Sequence, residues 1–156
     1  MARIAARAGV GRSTFYEFFD SPDHLLEQLQ LRTLRALEVR LAGAVTAART
    51  PLERVRAIAR AWLEELETRP IEARVALTPR THGELLSPAG KVLQGALSRC
   101  ATDARQVGVG WLSANDEPSL LAAAAAVEVV TRKHLAGPEV VDAQRVLTDL
   151  VAKLLR

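Results

Sequence analysis

The sequence predicts an all-α protein, and three observations support this. Hydrophobic residues make up 49% of the 156 residues, whereas aromatic residues make up only 4%. Helix-favouring residues therefore outnumber the β-branched and aromatic residues that favour strands. Proline and glycine also divide the chain into segments whose apolar residues recur at helical spacing, and several segments begin with recognisable caps.

The first predicted elements are two short helices joined by a tight turn. Ala5 and Ala8 are small enough for the two helices to approach closely, and Gly9 tolerates the positive φ that ends a helix in such a turn. Val10 is expected to fill the angle between the helices. Short polar residues and a tyrosine then lie on the N-terminal half of the second helix, the half that meets base edges in the major groove. The spacing is typical of a helix-turn-helix unit.

Spacing alone leaves an alternative open. The same residues also suit an ordinary helical hairpin in which Phe15, Phe18 and Phe19 are only core side chains.

The later helices are predicted from their punctuation. Thr50-Pro51-Leu52-Glu53 is a capping box, in which the hydroxyl and the carboxylate each accept from an amide at the helix start, and it begins a helix reaching about Arg69. Ser21-Pro22 begins a long helix in the same way, which is expected to end near Arg49. The remaining segments are a short one at 71–78, a loop at 80–87, and helices at 88–107, 118–135 and 138–155.

Charge and cysteine content narrow the class of protein. With 21 Lys and Arg against 18 Asp and Glu, the net charge of +3 permits a polyanionic partner without requiring one. The single cysteine excludes an internal disulfide and suits a reducing cytoplasm. No secretory signal opens the chain, and the longest apolar run, 120–130, is interrupted by Glu128. We therefore expect a cytoplasmic protein without a membrane span.

No enzyme signal is found. The three histidines and the cysteine are too scattered for a zinc-binding spacing, and no phosphate-binding loop or nucleophile elbow is present. Arg99 and Arg105 flank Cys100 and favour its thiolate, but a buried, inert thiol is the preferred interpretation. The sequence predicts neither catalysis, nor a metal, nor a cofactor.

Residues 4–26, IAARAGVGRSTFYEFFDSPDHLL, resemble the second and third helices and the start of the fourth in the tetracycline-repressor (TetR) family. The resemblance covers only this stretch closely, but it joins many positions at fixed spacing. It implies a homodimeric transcriptional regulator, usually a repressor, which leaves its double-stranded DNA operator when a small hydrophobic effector binds. By this resemblance the DNA-binding residues are Arg12, Ser13, Thr14, Tyr16 and Ser21.

Several positions depart from the family pattern. Gly11 replaces the usual serine at the N-cap of the recognition helix, Phe18 stands where histidine or tyrosine is common, and Pro22 replaces a phosphate-binding lysine. The family also places a whole helix ahead of Ile4, so we expect the natural reading frame to begin upstream of Met1. Without that helix, we expect the DNA-binding helices to be loosely packed and their affinity for DNA to be poor.

The resemblance divides the chain into a DNA-binding region at 1–26 and an effector-binding and dimerisation domain at 27–156. An apolar cavity with a few polar groups is expected in the latter. Its candidate lining residues are Trp62, Leu66, Arg74, Arg80, His82, Leu97 and Trp111. Two alternatives stay open: Trp62 and Trp111 as plain core residues, and the arginines and His82 as solvated surface rather than a site for an acidic ligand.

The last two predicted helices suggest the dimer interface. The run 122–126 is entirely alanine, which permits close helix approach, and apolar residues recur at helical spacing on the terminal helix. Those residues are Val140, Leu147, Val151 and Leu154, with Leu150 and Leu155 widening the surface. Two helices from each subunit would form a four-helix bundle. The alternative function is a dimeric ligand-binding sensor that has lost DNA binding and acts through a protein partner.

Overall fold

A computed structural model describes residues 2–81, 83–106, 117–137, 145–147 and 149. The helices are α1 Ala2–Ala8, α2 Arg12–Phe18, α3 Pro22–Ala47, α4 Pro51–Thr68, α5 Pro70–Ala76, α6 Pro88–Gln106 and α7 Glu117–Ala136. Within the described ranges no strand occurs, which confirms the all-α prediction. The predicted helix at 138–155 lies almost entirely outside these ranges.

The helix bounds follow the predicted caps. At the start of α4 the Thr50 hydroxyl accepts from the Glu53 amide at 3.2 Å, and the Glu53 carboxylate accepts from the Thr50 amide at 3.1 Å. At the start of α3 the Ser21 hydroxyl oxygen accepts from the amide of His24 at 3.0 Å. Each predicted helix boundary from α3 to α7 lies within about two residues of the observed one, as expected for ends set by local hydrogen bonds.

The core lies between α3, α4 and α6, with α5 against α3 and α7 against α6. Its largest fully buried side chains are Leu37 and Leu41 of α3, Ile58, Trp62 and Leu66 of α4, and Leu93 and Leu97 of α6. These residues repeat at four-residue spacing along their helices, so each helix buries one stripe. The helices α1 and α2 lie outside this core.

A buried carboxylate joins α7 to the start of α6. Glu128 is fully buried, and its Oε1 accepts from the Ser87 amide at 3.0 Å and from the Ser87 hydroxyl at 2.5 Å. Arg132 donates to the other carboxylate oxygen from one helical turn away. A Cβ placed on Gly90 would lie 1.7 Å from Glu128 Oε1, so only glycine leaves room for the carboxylate. Glu128 thus interrupts the apolar run of α7 because it serves as a partner for the N-terminus of α6.

Candidate functional site

The turn between α1 and α2 has the geometry that Gly9 was predicted to supply. Its φ is +69°, in the left-handed region. The amide of Val10 donates to the carbonyl of Ala5 at 3.1 Å, and the amide of Gly9 donates to that of Ala6 at 3.3 Å. This pair of bonds is the Schellman arrangement that ends a helix. It turns the chain so that Gly11, in an extended conformation, can begin α2.

Contact between the two helices rests on a small apolar centre. Ala5 and Phe15 are the buried residues of α1 and α2, and the ring of Phe15 lies 5.2 Å from that of Phe19, which is half-buried. The prediction that Val10 fills the angle between the helices is corrected, because 41% of this side chain is exposed. Phe18, one of the three candidate core phenylalanines, is 68% exposed. The hairpin-core interpretation therefore fits Phe15 and Phe19 but not Phe18.

The exposed side of α2 carries the predicted base-reading residues. Arg12, Ser13, Thr14 and Tyr16 are all exposed and lie on one seven-residue helix. The guanidinium carbon of Arg12 lies 5.8 Å from the centroid of the Tyr16 ring, within the range of a cation–π interaction. This contact holds a positive charge against the tyrosine ring. Arg12 and Tyr16, four residues apart, share one face of α2, whereas Thr14 lies on the opposite side of the helix.

Ser21 has a different environment. Its side-chain oxygen caps α3 by accepting from the amide of His24, and the ring of His24 accepts from the amide of Asp20 at 3.3 Å. The amide of His24, at the start of α3, is therefore satisfied within the protein. Ser21 therefore stabilises the start of α3, a different role from that of the exposed residues of α2.

The predicted apolar ligand residues lie in the core. Trp62, Leu66 and Leu97 have at most 1% of their surface exposed. The indole N–H of Trp62 donates to the hydroxyl of Thr131 at 2.8 Å, and that hydroxyl donates to the carbonyl of Val127 at 2.8 Å. The indole nitrogen has no N–H left for a ligand, because its single N–H is already used. In this structure Trp62 is a core residue that ties α4 to α7.

The predicted cations also have partners within the chain. Arg74 donates to the carbonyl of Leu135 at 3.1 Å, at the end of α7. Arg80 donates through Nε and Nη2 to the side-chain oxygen of Gln30, at 3.0 and 2.7 Å. His82 and Trp111 lie outside the described residues. The five predicted ligand residues that the structure describes are thus not gathered around one cavity.

One predicted cation does border a groove. A space of about 590 Å³ lies between the first turns of α3 and the segment that follows α5. It is lined by Asp23, Leu26, Glu27 and Gln30 of α3 and by Val75, Thr78, Pro79 and Arg80. Only Arg80 was predicted, and the α3 side was missed, although three of its residues, Asp23, Glu27 and Gln30, follow one another at helical spacing.

The segment beside this groove is held by Glu84. Its carboxylate accepts from the amide of Arg80 and from the ammonium of Lys91, both at 3.0 Å. The bond from Lys91, followed by that from the Arg80 amide, holds the pKa of Glu84 below its ordinary value. The segment is therefore linked to α6 through Lys91 and to α3 through Arg80.

The described side chains form neither a metal-binding cluster nor a reactive thiol. In the described ranges no three His, Cys, Asp or Glu side chains lie together as metal ligands would. Burial raises the pKa of the Cys100 thiol to about 11, outweighing the lowering effect of Arg54, so the thiol is protonated at neutral pH. None of the described helices is long and apolar enough to cross a membrane.

The candidate dimer surface differs from its prediction. Ala123 and Ala124 are fully buried within the chain, because five consecutive residues of a helix cover every face. Ala122 is exposed. Val129, seven residues further along the same face of α7, is 64% exposed. Leu147 of the predicted terminal stripe is fully buried in the core of the chain, and the other residues of that stripe lie outside the described ranges.

No protein-family model matches the chain, and a search of curated proteins finds no significant match.

Proposed function

We propose that the chain is a DNA-binding transcriptional regulator, similar to the TetR family, which acts as a homodimer and is released from its operator by a small hydrophobic effector. The observation that carries the proposal is the exposed face of α2. It follows a left-handed turn at Gly9 and presents Arg12 and Tyr16, four residues apart, on one exposed face. A helix about 10 Å across fits the major groove, which is about 12 Å wide, so such a face can reach base edges.

The charge of α1 supports the same role. Arg3 and Arg7 are exposed and lie four residues apart, so they share one face of α1, and Arg12 follows at the start of α2. Guanidinium groups neutralise phosphates and fix the register of a protein on the duplex, whereas base contacts determine sequence preference. In this proposal the arginines of α1 contact the backbone and the face of α2 reads bases.

The dimer is proposed from α7. Ala122 and Val129 are exposed on this helix, seven residues apart and therefore on one face. A small and a branched apolar residue at this spacing suit close packing against the same helix of a second copy. Two copies would present two α2 helices to DNA half-sites one helical turn apart.

The test is selection of duplexes from a random DNA pool, followed by fluorescence anisotropy with the selected sequence. Tyr16→Phe removes one hydroxyl and Arg12→Ala one charge, and each is expected to weaken binding by about 5- to 100-fold, the range for one specific contact. Glu38→Gln, an exposed change on α3, is the matched control and should bind at least as well as the unchanged chain. Failure to enrich any sequence, or equal affinity of all variants, would contradict the proposal.

A second candidate is a ligand-binding sensor that has no DNA role and acts through a protein partner. The observation that favours it is the apolar surface of α1 and α2, where Ile4 and Val10 are each 41% exposed and Phe18 is more so. Exposed apolar clusters of this kind occur at protein interfaces. The same selection distinguishes the candidates, because a sensor of this kind enriches no duplex.

A further inference from the structure

The start of α3 is built like the start of α4, with one change of residue type. In α4 the third helical residue is Glu53, whose carboxylate accepts from the amide of Arg49, four residues earlier, at 3.0 Å. In α3 the third helical residue is His24, whose ring nitrogen Nδ1 accepts from the amide of Asp20, also four residues earlier, at 3.3 Å. In both helices the third residue donates its own amide to the hydroxyl of the N-cap. A histidine therefore occupies the position at which a capping box ordinarily has glutamate or glutamine.

His24 lies at the junction between α2 and the core. Three residues, 19–21, separate the end of α2 from the first residue of α3. The ring of His24 contacts that of Phe19 in an edge arrangement with 6.1 Å between centroids, and Phe19 packs against Phe15, the buried residue of α2. The ring of His24 thus joins the end of α2 to the first turn of α3, both through this contact and through the bond from the Asp20 amide.

The bond from the Asp20 amide requires a neutral ring. Nδ1 accepts a hydrogen bond through its lone pair, so the neutral ring carries its hydrogen on Nε2. Nε2 faces the side-chain amide of Gln28 at 3.2 Å, and the oxygen of that amide can turn to accept this hydrogen. Protonation makes Nδ1 a donor that faces another donor. Because histidine is the side chain that ordinarily changes charge between about pH 5 and 8, this loss falls in the physiological range.

Two electrostatic effects act on the protonated ring in opposite directions. Its positive charge lies in the first turn of α3, at the positive end of the helix dipole, where a cation is destabilising. Against this, a carboxylate oxygen of Asp20 lies 3.3 Å from Nδ1, but the Asp20 side chain is 91% exposed, and exposed ion pairs contribute little. Asp23 and Glu27 are exposed on α3 and form no hydrogen bond or ion pair with the ring in the described part of the chain. The lost bond and the helix dipole therefore outweigh the ion pair.

We infer that His24 is a pH-sensitive switch at this junction: the neutral ring holds residues 19–21 against the start of α3, and protonation releases α2 from the core. The helix α2 has seven residues and buries one side chain, Phe15, so it has little else to keep it ordered. The switch does not depend on the proposed function. That acid weakens DNA binding does rest on it, because α2 is the proposed base-reading helix.

The start of α4 provides an internal comparison. Hydrogen bonds from the amides of Thr50 and Arg49 hold the pKa of Glu53 below its ordinary value of 4.5. The carboxylate therefore remains an acceptor between pH 8 and 5.5, and the capping box of α4 should not respond in the range in which His24 changes charge.

The test is NMR of the isotope-labelled chain between pH 8 and 5.5. At pH 8 the ring of His24 should carry its hydrogen on Nε2, and the amides of α2 should exchange more slowly than those of an unstructured peptide at the same pH. At pH 5.5 this protection should fall about two- to tenfold in α2, the size of a lost cap, and stay constant in α4. His24→Glu supplies the usual capping-box carboxylate and should keep the protection of α2 constant over this range. His24→Ala should lower it at both pH values.

The matched control is His134→Gln, which removes a half-buried histidine on α7 and should leave the response of α2 to pH unchanged. Asp20→Asn removes the carboxylate that favours the protonated ring and should enlarge that response. A hydrogen on Nδ1 at pH 8, or the same response to pH in His24→Glu as in the unchanged chain, would overturn the inference. DNA binding at both pH values separates the two proposals. A response of α2 without DNA binding supports the switch and contradicts the regulator, whereas DNA binding with an unresponsive α2 does the reverse.

Discussion

The two ends of α3 meet very different kinds of structure. Before it lie α1 and α2, each seven residues long, with one buried residue apiece, Ala5 and Phe15. After it lie helices that bury whole stripes, such as the seven buried residues of α4. Helices shorter than about 12 residues are marginal in water without tertiary contacts. We therefore expect the core to fold without the candidate DNA-binding region, and that region to depend on contacts beyond its own.

The largest expected effect on the free energy of unfolding comes from shortening one buried apolar side chain, first in the core and then in α2. Leu97→Ala empties part of the core and should lower the free energy of unfolding by about 2–5 kcal/mol. Phe15→Ala removes the only buried side chain of α2 and should abolish helix there while changing the main unfolding transition by less than about 0.5 kcal/mol. Urea unfolding followed by circular dichroism gives the first quantity, and amide exchange in residues 2–18 gives the second. If Phe15→Ala shifts the main transition as far as Leu97→Ala does, the two regions form one cooperative unit.

The next effect concerns two glycines of α6. Gly90→Ala places a methyl group where the Glu128 carboxylate lies, so the bonds from Ser87 must break or the helices must separate, at a cost of about 2–3 kcal/mol. Gly95→Ala, five residues on, meets only the end of Arg99 at 3.7 Å and should stabilise the helix by up to about 1 kcal/mol.

Both variants are measured by urea unfolding, and a double-mutant cycle gives the control for the first. In the background Glu128→Ala the methyl group of Gly90→Ala has room, so its cost should fall to nearly zero. A cost that stays the same without the carboxylate would show that the steric explanation is wrong.

What the sequence could predict follows from the distance between interacting residues. The cap at Thr50 and the turn at Gly9 depend on residues within about five positions, and both were predicted from local patterns. The pairing of Trp62 with Thr131 spans 69 positions and that of Arg80 with Gln30 spans 50, so neither follows from periodicity. These long-range partners decide which side chains are free for a ligand. For this reason the helix bounds follow from the sequence, whereas the internal partners of Trp62 and Arg80 do not.

Gly90 and Glu128 are each unusual at their positions in the sequence, but their contact could not be predicted from it. A glycine in the first turn of a helix and a single acid in an apolar run are each visible in the sequence. They explain each other only when α6 and α7 are packed, because the missing side chain of one makes room for the carboxylate of the other.

A smaller effect tests the polar link between α4 and α7. Trp62→Phe keeps most of the apolar contact but removes the N–H that Thr131 accepts, and should cost about 1–2 kcal/mol. Thr131→Val leaves the indole N–H buried without an acceptor and should cost about as much. The double variant should be less destabilised than the sum of the two, as unfolding measurements on all four proteins can show. Strict additivity would mean that the bond contributes nothing to stability.

The smallest effect compares the N-caps of the two regions. Thr50→Ala removes the side-chain cap of α4 and should lower the free energy of unfolding by about 1 kcal/mol. Gly11→Ser supplies a cap that α2 lacks and should stabilise that helix by a few tenths of a kcal/mol. The gain requires no strain, because the φ of Gly11 is −60° and a Cβ there meets no atom closer than 3.6 Å. Amide exchange in α2 is the sensitive measurement, since the main transition should not respond. A slower exchange in α2 without any change in core stability would establish that the two regions are stabilised independently.

The cap of α4 also gives a pH dependence that α2 lacks. Hydrogen bonds from the amides of Thr50 and Arg49 lower the pKa of Glu53 below its ordinary value of 4.5. A carboxyl whose pKa is lower in the folded state stabilises the fold above its unfolded pKa, and that stabilisation is lost as the pH falls through the folded pKa. The difference in stability between the unchanged chain and Glu53→Gln should therefore be constant at neutral pH and shrink below about pH 4.5. Urea unfolding between pH 7 and 3 measures it, and a difference that grows toward low pH would contradict the sign derived from these bonds.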